Sequence, residues 1–151
     1  MAGAGWGDAA DGMLAVTSIM RAQAIVLARV DAVLRPLGLT FARYELLQLL
    51  SFTREGSLPM TRAGALLQVH PASVTNAVQR LEVAELVTRR PSPSDGRVVV
   101  VSITDEGRRV AAKATDSLNS EVFTRPGLPA DRVRDLVDVL RELRADAGDL
   151  G

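Results

Sequence analysis

Apolar side chains recur along this chain at two different spacings, and the change between them marks out the fold. Over about residues 12–35, Met13, Val16, Met20, Ala24, Leu27, Val30 and Leu34 fall three or four apart, the period of one helix face. Ile19, Ile25, Val26 and Val33 widen the stripe, and Pro36 and Gly38 stop it. A surface that wide exceeds what the core of one small domain covers, so part of it is expected to face a second subunit. A second helix is expected over about 41–53, capped by Thr40, with Phe41, Tyr44, Leu47 and Leu50 inward and Gly56 closing it. Ser57 to Pro59 reads as short and extended. Thr61 is expected to cap a third helix over about 62–68, with Ala63, Leu66 and Leu67 apolar. After a tight turn at Gln68-Val69-His70, Pro71 takes the first position of a fourth helix running to about Glu85.

The period then shortens. LVTRR and RVVVVSI are β-branched runs on either side of PSPSDG, which predicts a hairpin. Thr104 caps a fifth helix, with Asp105 and Glu106 placed favourably for its dipole, running to about Phe123. Pro126-Gly127 breaks it. A sixth helix over about 130–146 puts Val133, Leu136, Val137, Leu140 and Leu143 on one face. Residues 1–11 and 147–151 are expected to be loosely held. The fold class is mainly α with a small β-hairpin wing, a single domain over residues 12–146. A winged helix-turn-helix spans about 41–103, and helices over 12–35 and 105–146 form a dimerisation region.

The fourth helix is two-faced. Val74, Ala77, Val78 and Leu81 form its inner side, while Thr75, Asn76 and Gln79 point outward with Ser73 and Arg80 flanking. In a helix-turn-helix the inner face locks to the scaffold and the outer face enters the major groove. Asn76 and Gln79 pair a donor with an acceptor, as the N6 and N7 edge of adenine requires. Arg80 suits guanine or a phosphate, and Thr75 a thymine methyl or a phosphate. Ser73 and the helix N-terminus suit a phosphate. In the hairpin, Arg89 and Arg90 precede the loop and Arg97 follows Ser94-Asp95-Gly96, and Arg89, Arg90, Asp95 and Arg97 are all expected at the DNA. An arginine at a hairpin tip fits a narrow minor groove, and Asp95 is placed to hold it extended.

Composition narrows the alternatives. The chain has 151 residues and no cysteine, which removes disulfides, thiolate metal sites and thiol redox switches. The formal net charge is zero, yet residues 41–103 carry seven arginines against five carboxylates. The N-terminal stretch MAGAGWGDAADG lacks the pattern of a secretory signal, and Arg21, Gln23, Arg29 and Asp31 interrupt the most apolar stretch, so neither secretion nor a membrane partner is expected. The expected location is the cytoplasm. No carboxylate pair, nucleophile–histidine arrangement or phosphate-cradling glycine loop suggests an enzyme or a cofactor, so no catalytic residues are assigned. His70 is the single histidine and stands at the turn before the fourth helix, so no metal site is expected.

LTFARYELLQLL, LLQVHPASVTNAVQRLE and LVTRRPSPSDGRVVVVSITDEGRR together resemble the MarR family of bacterial transcriptional regulators. The resemblance covers about residues 12–146. Its most specific part is Asp95-Gly96-Arg97, a β run, then Ile103-Thr104-Asp105-Glu106-Gly107. Glu85 departs from it, standing where the family often has glycine. The resemblance implies a homodimer whose first and last helices interlock. Its recognition helices would enter successive major grooves of a pseudo-palindromic operator, about 34 Å apart, with each wing arginine in a minor groove. It also implies repression relieved by a small aromatic or anionic effector. By resemblance, such an effector would lie against Trp6, Met20, Arg21, Arg43 and Tyr44. The competing reading is a winged helix that contacts proteins instead of DNA, which calls for an apolar outer face on the fourth helix.

Overall fold

The structure is a computed structural model. It describes residues 4–67 and 71–149, and of residues 4–6 and 71 the backbone only. Helix α1 runs Ala4–Leu34 and passes through a 3₁₀ turn, Arg35–Leu37, to Gly38. It starts eight residues before the expected position. Once a helix is nucleated each further residue adds a bond, so Ala9 and Ala10 carry it through Gly7 and Gly12. At the other end Pro36 stiffens the turn, and Gly38 takes the left-handed φ of 71° that closes it.

Helix α2, Phe41–Phe52, is capped as expected by the Thr40 side chain, which accepts from the Arg43 amide. Tyr44, Leu47 and Leu50 are buried, as is Leu46. Strand β1, Ser57–Pro59, leads directly into α3, Met60–Leu67. Thr61 is therefore inside the first turn and does not cap it, because the helix starts as soon as Pro59 leaves the strand. Of the three α3 residues read as apolar, Ala63 is buried but Leu66 is exposed. The Gln68-Val69-His70 turn lies outside the described residues.

Helix α4, Pro71–Val83, precedes β2, Val87–Pro91, and β3, Val99–Ile103. The expected hairpin is present, but the sheet has three strands in the order β1-β3-β2. Both pairs are antiparallel, with Ser57 opposite Ser102 and Arg89 opposite Val101. The Ser57 and Ser102 hydroxyls share a 2.6 Å hydrogen bond across the sheet. Helix α5, Asp105–Leu118, starts at the Thr104 cap and turns into a π segment, Asn119–Phe123. Helix α6 is Ala130–Asp146, as expected. Beyond it, Asp149 folds back onto Arg144 through a 2.6 Å ion pair, so the tail up to that residue is tied down.

One core joins all of these elements except α6. Val30 and Leu34 of α1 meet Leu46, Leu47 and Leu50 of α2, Val74, Val78 and Leu81 of α4, Val101 of β3, and Ala111, Ala114 and Leu118 of α5. Only the C-terminal end of α1 reaches it. Further back, Met13 is 73% exposed and Val16 57%, with Leu14, Met20 and Ile25 similarly bare. On α6, which has no buried residue, Val139 is 61% exposed and Leu136, Val137 and Leu143 are also open. By length and composition alone α1 could cross a membrane. Its bare stripe has a counterpart in that of α6, as two helices awaiting a second subunit would have.

Candidate nucleic-acid interface

The core contacts of α4 decide what its other side presents. Val74, Val78 and Leu81 are buried and Ala77 is half-buried. A 3.6-residue turn then places Ala72, Ser73, Thr75, Asn76, Gln79 and Arg80 in the solvent, and all six are exposed. Ala72, Thr75, Asn76, Gln79 and Arg80, with Glu82 and Val83, border an open depression of about 860 Å³. The helix ends in a motif that reverses the chain. The Leu86 amide donates to the Leu81 carbonyl, and the Glu85 amide to Glu82, both at 2.9 Å. Glu85 takes the left-handed conformation at φ 61°. That backbone explains why glycine suits the position.

Two contacts join the turn before the wing to the start of the following helix. The Thr104 hydroxyl donates to the Glu85 carbonyl at 2.8 Å and accepts from the Gly107 amide at 2.9 Å. Gly107 is required there, since a Cβ would run into the Leu86 carbonyl and lie 2.8 Å from Ile103 Cγ1. In the wing loop, the Asp95 carboxylate accepts from the Arg97 amide at 3.0 Å. Its ion pair with Arg97 Nε is looser, at 3.8 Å, and the Arg97 side chain is 96% exposed. Asp95 thus shapes the loop backbone and leaves the guanidinium projecting, where the sequence had suggested a grip on the side chain itself.

Arg90 is exposed, but Arg89 is engaged. Its Nε and Nη2 both donate to Glu82 Oε1, at 3.1 and 2.9 Å. Glu82 and Val83, the latter 84% exposed, are outer-face residues that the sequence reading passed over. The spacing from Gln79 to Glu82 and Val83, one helical turn, is the signal that would have found them.

Of the five residues expected to line an effector pocket, four have described side chains, and these four have different surroundings. Tyr44 is buried and its hydroxyl shares a 2.8 Å hydrogen bond with Thr115. Arg43 turns back to the Gly38 carbonyl. Met20 and Arg21 are exposed on α1, and Trp6 lies outside the described side chains. Core packing of α2 against α5 claims Tyr44, and helix capping claims Arg43. A different cavity, about 430 Å³, lies where α1, α2 and the π segment meet α6, lined mainly by Leu27, Val30, Phe41, Val122 and Phe123, with Gln23 and Arg29 at its edge.

A helix pair carrying an exposed polar second helix, followed by a hairpin with a projecting arginine, defines a winged helix-turn-helix protein. A model of the MarR family matches residues 37–98. The structure superposes on Sco5413, a MarR family transcriptional regulator from Streptomyces coelicolor, with a TM-score of 0.85. That likeness has 48% identity and covers 93% of this chain and 97% of Sco5413. Sco3205, a MarR family regulator of the same organism solved in complex with DNA, matches with a TM-score of 0.76. It is 27% identical, over 89% of this chain and 86% of Sco3205. The transcriptional repressor Rv2887 of Mycobacterium tuberculosis is 29% identical over 85% of this chain and 91% of its own length. The match spans 53% and 65% of two Bacillus subtilis regulators of 33% and 30% identity. The chain belongs to the MarR family of transcriptional regulators.

Proposed function

We propose that two copies of this chain form a cytoplasmic dimer that binds a pseudo-palindromic DNA operator and represses transcription. The reading has the protein act by binding, without catalysis. The observation that carries it is the joint exposure of the α4 outer face and of the Arg97 tip on the hairpin that follows it. In this reading Asn76 and Gln79 read base edges in the major groove. Ser73, Thr75, Arg80 and Arg90 hold phosphates, while Arg97 enters the minor groove on a loop shaped by Asp95. A protein-docking role for α4 is disfavoured, because its outer face is polar everywhere except Ala72 and Val83. The bare stripes of α1 and α6 supply the dimer contact.

Fluorescence anisotropy with the protein's own upstream intergenic duplex, set against a scrambled duplex, tests the DNA reading. Sedimentation tests the dimer. Tight, salt-sensitive binding to the first duplex alone is expected. A monomer indifferent to that duplex at low salt would refute the proposal. Relief by a small molecule with an apolar body and an anionic group belongs to the same reading, and its site is the cavity edged by Arg29 and Gln23. A thermal-shift screen with aromatic carboxylates tests that part, and no shift across the panel would count against it.

A further inference from the structure

Glu82 is an acidic residue on a surface that the proposed function turns toward phosphate. It borders the same depression as Thr75, Asn76, Gln79 and Arg80. Left alone, its carboxylate would repel the duplex. The structure gives it a partner from the other side of the chain reversal. Arg89, seven residues on in β2, places Nε and Nη2 on one carboxylate oxygen, with both side chains only about one-third exposed (33% and 38%). Between them lies the left-handed turn at Glu85. The pair therefore bridges the end of α4 and the base of the wing, the two parts that must hold a fixed angle to reach adjacent grooves.

We infer that Arg89 does not contact DNA but acts as a positioning residue: through Glu82 it ties the wing to the recognition helix and neutralises a carboxylate on the DNA-facing side. Moving Arg89 to a phosphate would break two charge-assisted bonds and bare an anion beside the backbone. Arg90, next in sequence, is exposed on the opposite face of the strand and is free for that task. This inference rests on the DNA-binding reading for its consequence, though the tie itself is a property of the free protein.

The test uses the full-length protein and three variants, Arg89→Gln, Glu82→Gln and the double variant. In Arg89→Gln, binding to the upstream duplex weakens because Glu82 is uncovered. In the double variant two amides replace the ion pair, so no bare carboxylate faces the duplex and a hydrogen bond can still join the wing to α4; affinity returns to within about threefold of wild type. The salt slope, d log K/d log[salt], then equals that of wild type. A direct phosphate contact predicts otherwise: no recovery, and a slope smaller by about 0.9 per protomer in both Arg89 variants. That outcome overturns the inference. In the DNA-free protein, Glu82→Gln shifts the Arg89 Nε–H resonance in ¹⁵N NMR spectra, and adding duplex to wild type leaves that resonance in place. An Arg89 resonance unmoved by Glu82→Gln overturns the tie even if wild type binds no DNA, a result that would separately refute the proposed function.

Discussion

Replacing Glu85 with glycine should stabilise the protein, and the turn between α4 and the wing shows by how much. Among the described residues Glu85 is the one non-glycine with positive φ, at 61°. For an L side chain this conformation costs about 1–2 kcal/mol. The surroundings impose it: Leu86 is buried and its amide is bound to Leu81, while the Thr104 hydroxyl holds the Glu85 carbonyl. All of these are backbone contacts or belong to other side chains, so glycine keeps them. Against the relief stands the greater freedom of glycine in the unfolded chain, about 0.4–1 kcal/mol. At the middle of these ranges the net gain is about 0.5–1 kcal/mol, or roughly 1–4 °C in Tm for a chain of this size. Urea unfolding at fixed protomer concentration should show a higher midpoint with an unchanged m-value. Glu85→Ala is the control, since it removes the charge and keeps the Cβ. Equal stabilisation by alanine, or no gain with glycine, would refute the argument from backbone conformation.

Other perturbations probe different links. Gly107→Ala should cost about 1–3 kcal/mol, since its Cβ meets the Leu86 carbonyl and Ile103, and thermal unfolding checks it. Arg97→Ala should weaken binding to the upstream duplex about tenfold or more while sedimentation and circular dichroism stay unchanged. Asn76→Ala should relax base preference at one position per half-site, a loss of about 1–3 kcal/mol of discrimination readable by competition with single-base variants. Glu45, on α2, has its carboxyl pKa raised from 4.5 by burial. Its charged form is therefore less favourable in the folded state than in the unfolded. Glu45→Gln should then stabilise the protein at neutral pH, and the difference from wild type should fade as pH falls below 4.5. A difference that persists in acid would point to a packing effect instead.

Much of the fold is legible in local pattern. The stripe of α6, the two faces of α4 and the caps at Thr40 and Thr104 are set by neighbours within a turn or two, and periodicity and side-chain chemistry report such neighbours directly. The shape of the candidate interface was legible for the same reason: packing Val74, Val78 and Leu81 inward leaves Asn76 and Gln79 nowhere else to point. The surroundings of the residues assigned to an effector were not. Tyr44 and Arg43 look available in sequence, but their partners, Thr115 and the Gly38 carbonyl, depend on how α2 lies against α5 and on how α1 ends.

The amino-acid sequence by itself determined the helices, the hairpin, the polar recognition face and the surplus of apolar surface on α1 and α6. Tertiary structure alone decided that β1 joins the sheet, since three residues carry too little alternation to reveal a strand pairing with residues some 45 positions away. It alone decided that Arg89 turns to Glu82, and that Glu85 accepts a strained conformation so that Leu86 can be buried. Each of these depends on free energies summed over contacts distant in the chain, which no local period records.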